Sequence, residues 1–119
     1  MGEERRANPR VRAYRPVRLT QRADGRVVET LAKDLSLAGM RFLSTTLFPV
    51  STELNLELIL SNGESPMNLH AKTAWFNTIP QSEQFDIGVM FMDIPEQDKR
   101  RLSAYINRLA QKPSFSLAS

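Results

Sequence analysis

The chain has 119 residues, with 16 Lys and Arg against 13 Asp and Glu, a formal net charge of +3. That length fits one domain whose core buries roughly two thirds of the unfolded chain's surface, and 41% hydrophobic with 24% charged residues excludes a disordered chain. Zero Cys excludes disulfides, thiolate nucleophiles, zinc fingers and iron–sulfur clusters.

The charge is unevenly spread. Residues 1–26 carry eight arginines against Glu3, Glu4 and Asp24, a net of +5, and the four Lys lie beyond them. The remaining residues, 27–119, carry eight basic and ten acidic groups, a net of −2. Arg presents a planar donor fork that matches phosphate oxygens and the O6/N7 edge of guanine, so the segment reads either as a clamp for a planar or phosphorylated anion or as a solvated basic tail. Met1–Pro16 lacks periodicity and holds Pro9 and Pro16, as expected of an extended arm.

Strand character follows. Pro16–Arg22 and Arg26–Leu35 flank Ala23-Asp24-Gly25, a hairpin signal. Gly39–Thr45 reads as a short strand with Met40, Phe42 and Thr45 as packing candidates. Over Glu53–Leu60 the residues Leu54, Leu56, Leu58 and Leu60 share one face opposite Glu53, Asn55 and Glu57. Asn62-Gly63 turns the chain, and Met67, Leu69, Ala71, Thr73 and Trp75 alternate on the return strand. Pro80–Gln84 is a polar loop, and Phe85–Met92 is a last strand with Ile87, Val89 and Phe91 in alternation. Asp93 then reads as a helix N-cap with Glu96 as its reciprocal partner. Leu102, Tyr105, Ile106 and Leu109 form one helical stripe, and Lys112-Pro113 ends it. Short strands closed by one helix predict a mostly β fold, an antiparallel barrel with that helix plugging or flanking it. The organisation expected is an arm over 1–16, a barrel with C-terminal helix over 17–112 and a tail over 113–119.

Groups for catalysis are scarce. The lone histidine, His70, sits opposite the apolar face of its strand, where a solvent-facing role is expected; it makes a His-based metal site or a Ser/His/Asp triad unpromising. No Gly-rich phosphate loop occurs. No enzyme, no metal and no cofactor are expected. No apolar run approaches the ~20 residues that span a bilayer, and Met1–Arg26 does not resemble a secretory leader. A cytoplasmic protein without membrane insertion is expected.

Two motifs remain. Asp34-Leu35-Ser36-Leu37-Ala38-Gly39 is a D-x-S-x-x-G sequence between the second and third strands. A carboxylate is the matching acceptor pair for the N1–H and N2–H₂ donors of guanine. In extended chain Ser36 projects to the same side as Asp34 and its hydroxyl adds a donor or acceptor. Gly39 permits positive φ or a close backbone approach. The alternative is a local turn in which Asp34 and Ser36 bond backbone N–H groups. The second motif is Arg6-Ala7-Asn8-Pro9-Arg10, an R-x-x-x-R preceded by Arg5, whose two forks could grip phosphates and a guanine edge together.

The combination of R-R-x-x-x-R, D-x-S-x-x-G, a hairpin, and Ile87-Gly88-Val89-Met90-Phe91 before a terminal helix resembles the PilZ domain family of bacterial cyclic di-GMP receptors, over essentially Glu4–Leu109. The resemblance implies a stand-alone domain with a six-stranded antiparallel β-barrel, a C-terminal α-helix and a flexible N-terminal arm. It implies that Arg6 and Arg10 contact phosphates and guanine edges, that Arg5 stacks or adds charge, and that Asp34, Ser36 and Gly39 form the guanine-binding turn. Ser51 departs from the family, which often has Gly there. Trp75 has two readings, core packing or ligand contact. The partners implied are cyclic di-GMP as a ligand and an unidentified effector protein, with no DNA or RNA. The rivals are an interaction module that acts without nucleotide and non-specific nucleic-acid binding by the arginines.

Overall fold

In a computed structural model the described residues are 10–111. Six strands run in order: β1 (Val11–Gln21), β2 (Val27–Leu35), β3 (Gly39–Ser44), β4 (Glu53–Leu58), β5 (Met67–Thr78) and β6 (Phe85–Phe91), followed by the helix α1 (Glu96–Gln111). Antiparallel pairing closes them into a barrel in the order β1-β2-β3-β6-β5-β4. The apolar alternation of β4 points Leu54, Leu56 and Leu58 inward, where they join Val17, Leu19 and Phe42 in one core. The Leu102, Tyr105 and Ile106 stripe of α1 packs into the same core. Arg101 ties the helix to the β4–β5 loop through the Ser65 carbonyl at 3.1 Å. No helix among the described residues is long and apolar enough to cross a membrane.

Several boundaries differ from the sequence expectation. β1 begins at Val11, so residues 11–16, read as arm, are strand. Pro16 is tolerated inside it because its missing N–H faces β4 at the point where that pairing runs out. Ile59 donates its N–H to the Pro16 carbonyl (3.1 Å), and the Ile59 carbonyl, which a regular ladder would pair with an N–H of residue 16, accepts Nε of Arg15 at 2.9 Å instead. β3 ends at Ser44, and Thr45 is exposed rather than packed. Phe48, in the loop after β3, is fully buried and supplies core that no strand periodicity marked.

The helix begins at Glu96, so Asp93 is not its N-cap. Met92 still donates to the His70 carbonyl at 2.7 Å, and Pro95 disfavours helical φ/ψ at Ile94, so the chain stays extended until Pro95, whose carbonyl accepts the Lys99 N–H. Glu96 and Asp98 remain in the first turn, where the helix dipole favours them.

Ser51, where the sequence resemblance leads one to expect Gly, has φ of 76°. Its N–H is held by the Thr73 carbonyl at 2.8 Å, which fixes that left-handed conformation against the preference of an L-residue. Ser51→Gly is expected to raise stability by about 1 kcal/mol. Urea denaturation should show a higher midpoint with an unchanged slope.

Candidate functional site

The site is set by three register shifts in the barrel wall, two on the adjacent strands β1 and β2 and one on β5, across β3 and β6 from β2. β1 carries extra chain between Arg12 and Arg15, β2 between Ala32 and Asp34, and β5 between Thr73 and Trp75. Strict alternation would point Asp34 to the same side as Ala32, which is fully buried. The bulge at Lys33 turns Asp34 to the outer face opposite Arg41, while Ala32 stays paired with Phe42 inside. The shift in β5 does the same for Trp75. Thr73 is buried opposite Val89, whereas Trp75, opposite Gly88, is 39% exposed. Core packing of Trp75 is therefore corrected: the bulge moves it outward, and Phe76 packs against the core instead. In β1 the bulge residue Tyr14 has φ of 49° and is half exposed.

One row now crosses five strands on the outer surface: Arg12 opposite Asp34, Asp34 opposite Arg41, Arg41 opposite Gly88, and Gly88 opposite Trp75. Arg41 donates Nε to Oδ2 of Asp34 at 2.7 Å and Nη1 to both oxygens of Asp86 at 3.0 and 3.1 Å. All three side chains are partly shielded, with 27% of Arg41, 18% of Asp34 and 24% of Asp86 exposed, so the pairs are screened less than surface ion pairs. The hydrogen bond to Asp34, with that of Asp86, outweighs desolvation and raises the Arg41 pKa, keeping it charged.

Ser36 closes the turn. Its hydroxyl accepts the N–H groups of Ala38 (3.0 Å) and Gly39 (3.2 Å) and is 1% exposed. Its own N–H donates to the Gly39 carbonyl at 2.9 Å. The expectation that Ser36 shares the side of Asp34 assumed extended chain. β2 ends at Leu35, so Ser36 lies in the turn and its hydroxyl faces inward. The local-turn alternative describes Ser36 but not Asp34, whose carboxylate goes to Arg41. Gly39 serves by close approach rather than positive φ: a Cβ there would collide with the Val89 carbonyl oxygen of β6.

Arg10 is exposed and immediately precedes Val11, which pairs with Leu35, so it emerges beside the Ser36 turn. Arg5 and Arg6 lie outside the described residues. Four of the other arginines of residues 1–26 serve the barrel itself. Arg15 also reaches Asn62, Arg18 faces Glu29 at 3.9 Å, Arg22 binds Glu53 and His70, and Arg26 faces Asp24. His70 is thus half-buried against Arg22 and Glu53, at 2.9 and 3.0 Å, rather than simply facing solvent.

The sequence profile of the PilZ domain matches residues 4–108. The chain belongs to the PilZ domain family. No curated protein matches it significantly in sequence. Solved structures share its fold. The Bacillus subtilis inhibitor of motility MotI/DgrA is 22% identical with a TM-score of 0.74, over 92% of this chain and 53% of that one. The PilZ domain of YcgR from Escherichia coli, solved with c-di-GMP, is 19% identical with a TM-score of 0.71, over 96% and 97%. MrkH of K. pneumonia, solved as a c-di-GMP complex, is 20% identical with a TM-score of 0.71, over 87% and 51%. This PilZ domain therefore spans about half the length of MotI/DgrA and MrkH.

The sequence reading missed Arg41 and Asp86. The available signal was alternation: Arg41 lies between Met40 and Phe42, which both point inward, so it had to face outward beside Asp34. The chain's single Trp lies on this face and covers Gly88, where a methyl group would collide with the indole. Gly88→Ala is expected to displace the ring and red-shift tryptophan emission while leaving the far-UV circular dichroism unchanged.

Proposed function

We propose that this PilZ domain is a receptor for cyclic di-GMP that acts by binding rather than catalysis. The observation that carries the reading is the outward-facing Asp34 carboxylate at the head of the Ser36–Gly39 turn, with Arg10 emerging next to it. A carboxylate accepts two parallel N–H donors, the pattern of the guanine Watson–Crick edge. Arg10, with Arg6 four residues earlier and Arg5 before that, supplies forks for phosphates and guanine Hoogsteen edges. The exposed Trp75 plane offers a stacking surface for a purine, which supports the ligand-contact reading of that residue.

In this reading Asp34 receives guanine, Ser36 and Gly39 hold the turn that presents it, and Arg5, Arg6 and Arg10 neutralise phosphate. The solved c-di-GMP complexes of YcgR and MrkH support the choice of ligand by their shared fold. Binding fixes the segment carrying Arg5 and Arg6 against the barrel and so changes the surface offered to an effector protein. The Asp34–Arg41 pair favours a second reading, an interaction module in which the carboxylate serves only the barrel wall.

Isothermal titration with cyclic di-GMP separates the two. Saturable heat in the micromolar range is expected, and Arg6→Ala, Arg10→Ala and Asp34→Ala should each weaken binding at least about tenfold, the loss of one charge-assisted hydrogen bond. A folded protein that gives no heat at tens of micromolar ligand would be the interaction module.

A further inference from the structure

We propose that Arg41, anchored by Asp86, is a positioning residue that sets the preference of this face for guanine over a base lacking the 2-amino group. The proposal rests on the reading that Asp34 receives a guanine. Guanine presents N1–H and N2–H₂ as two parallel donors, and a carboxylate takes both only when its plane is aligned with the base. A carboxylate free to rotate about its last side-chain bond meets one donor at a time.

Arg41 removes that freedom. Its guanidinium is a rigid plane. Nη1 is held by both oxygens of Asp86 at 3.0 and 3.1 Å, which fixes one edge, and Nε reaches Oδ2 of Asp34 at 2.7 Å, which fixes the carboxylate to that plane. The bond uses one lone pair of Oδ2, so the carboxylate keeps acceptor capacity for two further donors. The anchoring chain runs along the wall from β6 through β3 to β2, because Asp86 and Gly88 stand two residues apart on one face and Gly88 pairs with Arg41. Side chains on paired, rigid strands hold such an orientation better than side chains in a loop.

Cyclic di-IMP isolates the effect. It keeps the phosphates, the ribose rings and the N1–H of each base, and lacks only the 2-amino group. Isothermal titration of the full chain with both nucleotides should show cyclic di-GMP preferred by about tenfold, the worth of one hydrogen bond to a charged acceptor. In Asp86→Asn and Arg41→Met the preference should fall to about threefold or less, mainly through weaker binding of cyclic di-GMP. Asp86→Asn conserves shape and keeps the proposal testable where Arg41→Met unfolds, with circular dichroism reporting the fold. Equal losses for the two nucleotides would make Arg41 a charge contact and overturn the proposal, as would variants that keep the full preference. A wild-type chain that binds both nucleotides equally overturns it too. If the wild-type chain binds neither, the receptor reading fails and this proposal fails with it.

Discussion

A closed barrel of alternating strands has only two sides, and each side chain takes the one its phase dictates. The outer face of Asp34, Arg41 and Trp75 exists because three of the six strands, β1, β2 and β5, break that phase. Without the bulge at Lys33, Asp34 would point into a core that already holds Ala32 and Phe42, where an ionised carboxylate is expensive to bury. Without the shift after Thr73, the indole of Trp75 would crowd that same core. The bulges put a carboxylate, a guanidinium and an aromatic plane in one row. The two glycines on β3 and β6 then let the row close up: Gly39 brings β3 against Val89, and Gly88 makes room for the indole.

Much of the fold is legible in the residues. The Leu54–Leu58 alternation, the Asn62-Gly63 turn and the return strand from Met67 specify the β4–β5 hairpin in register, and the helical stripe at Leu102, Tyr105 and Ile106 is buried as its spacing implies. The misses share a cause. No Gly or Pro marks the bulge at Lys33 or the one between Thr73 and Trp75, so period-2 alternation continued through them favours the core-packing reading of Trp75 over ligand contact. Pro16 looked like the end of an arm because a proline in a strand is tolerated only where its absent N–H has no ladder partner, and that condition depends on where β4 stops pairing. Asp93 and Glu96 carry the capping-box pattern, but Pro95 between them disfavours helical backbone at Ile94 and moves the start.

The Arg-rich segment illustrates how charge counts mislead without pairing. Its net +5 looked like a single clamp, yet Arg15, Arg18, Arg22 and Arg26 stand on or next to the first hairpin, with Ile59, Glu29, Glu53 and Asp24 as their partners. The part of that charge left for a ligand narrows to Arg12, opposite Asp34 on the outer row, and the residues before β1, of which Arg10 is placed beside the turn that carries Asp34. Arg41, which no motif named, stands at the centre of the face and links the turn to β6.

The proposed function puts the dinucleotide on this outer face of β2, β3, β6 and β5. Nuclear magnetic resonance mapping of the ¹⁵N-labelled chain during titration with cyclic di-GMP tests it most directly. The largest shift changes are expected on the backbone amides of Ser36–Arg41 and Asp86–Gly88 and on the indole N–H of Trp75. Changes confined to α1 and the outer face of β4, with Trp75 and the Ser36–Gly39 turn unmoved, would contradict it.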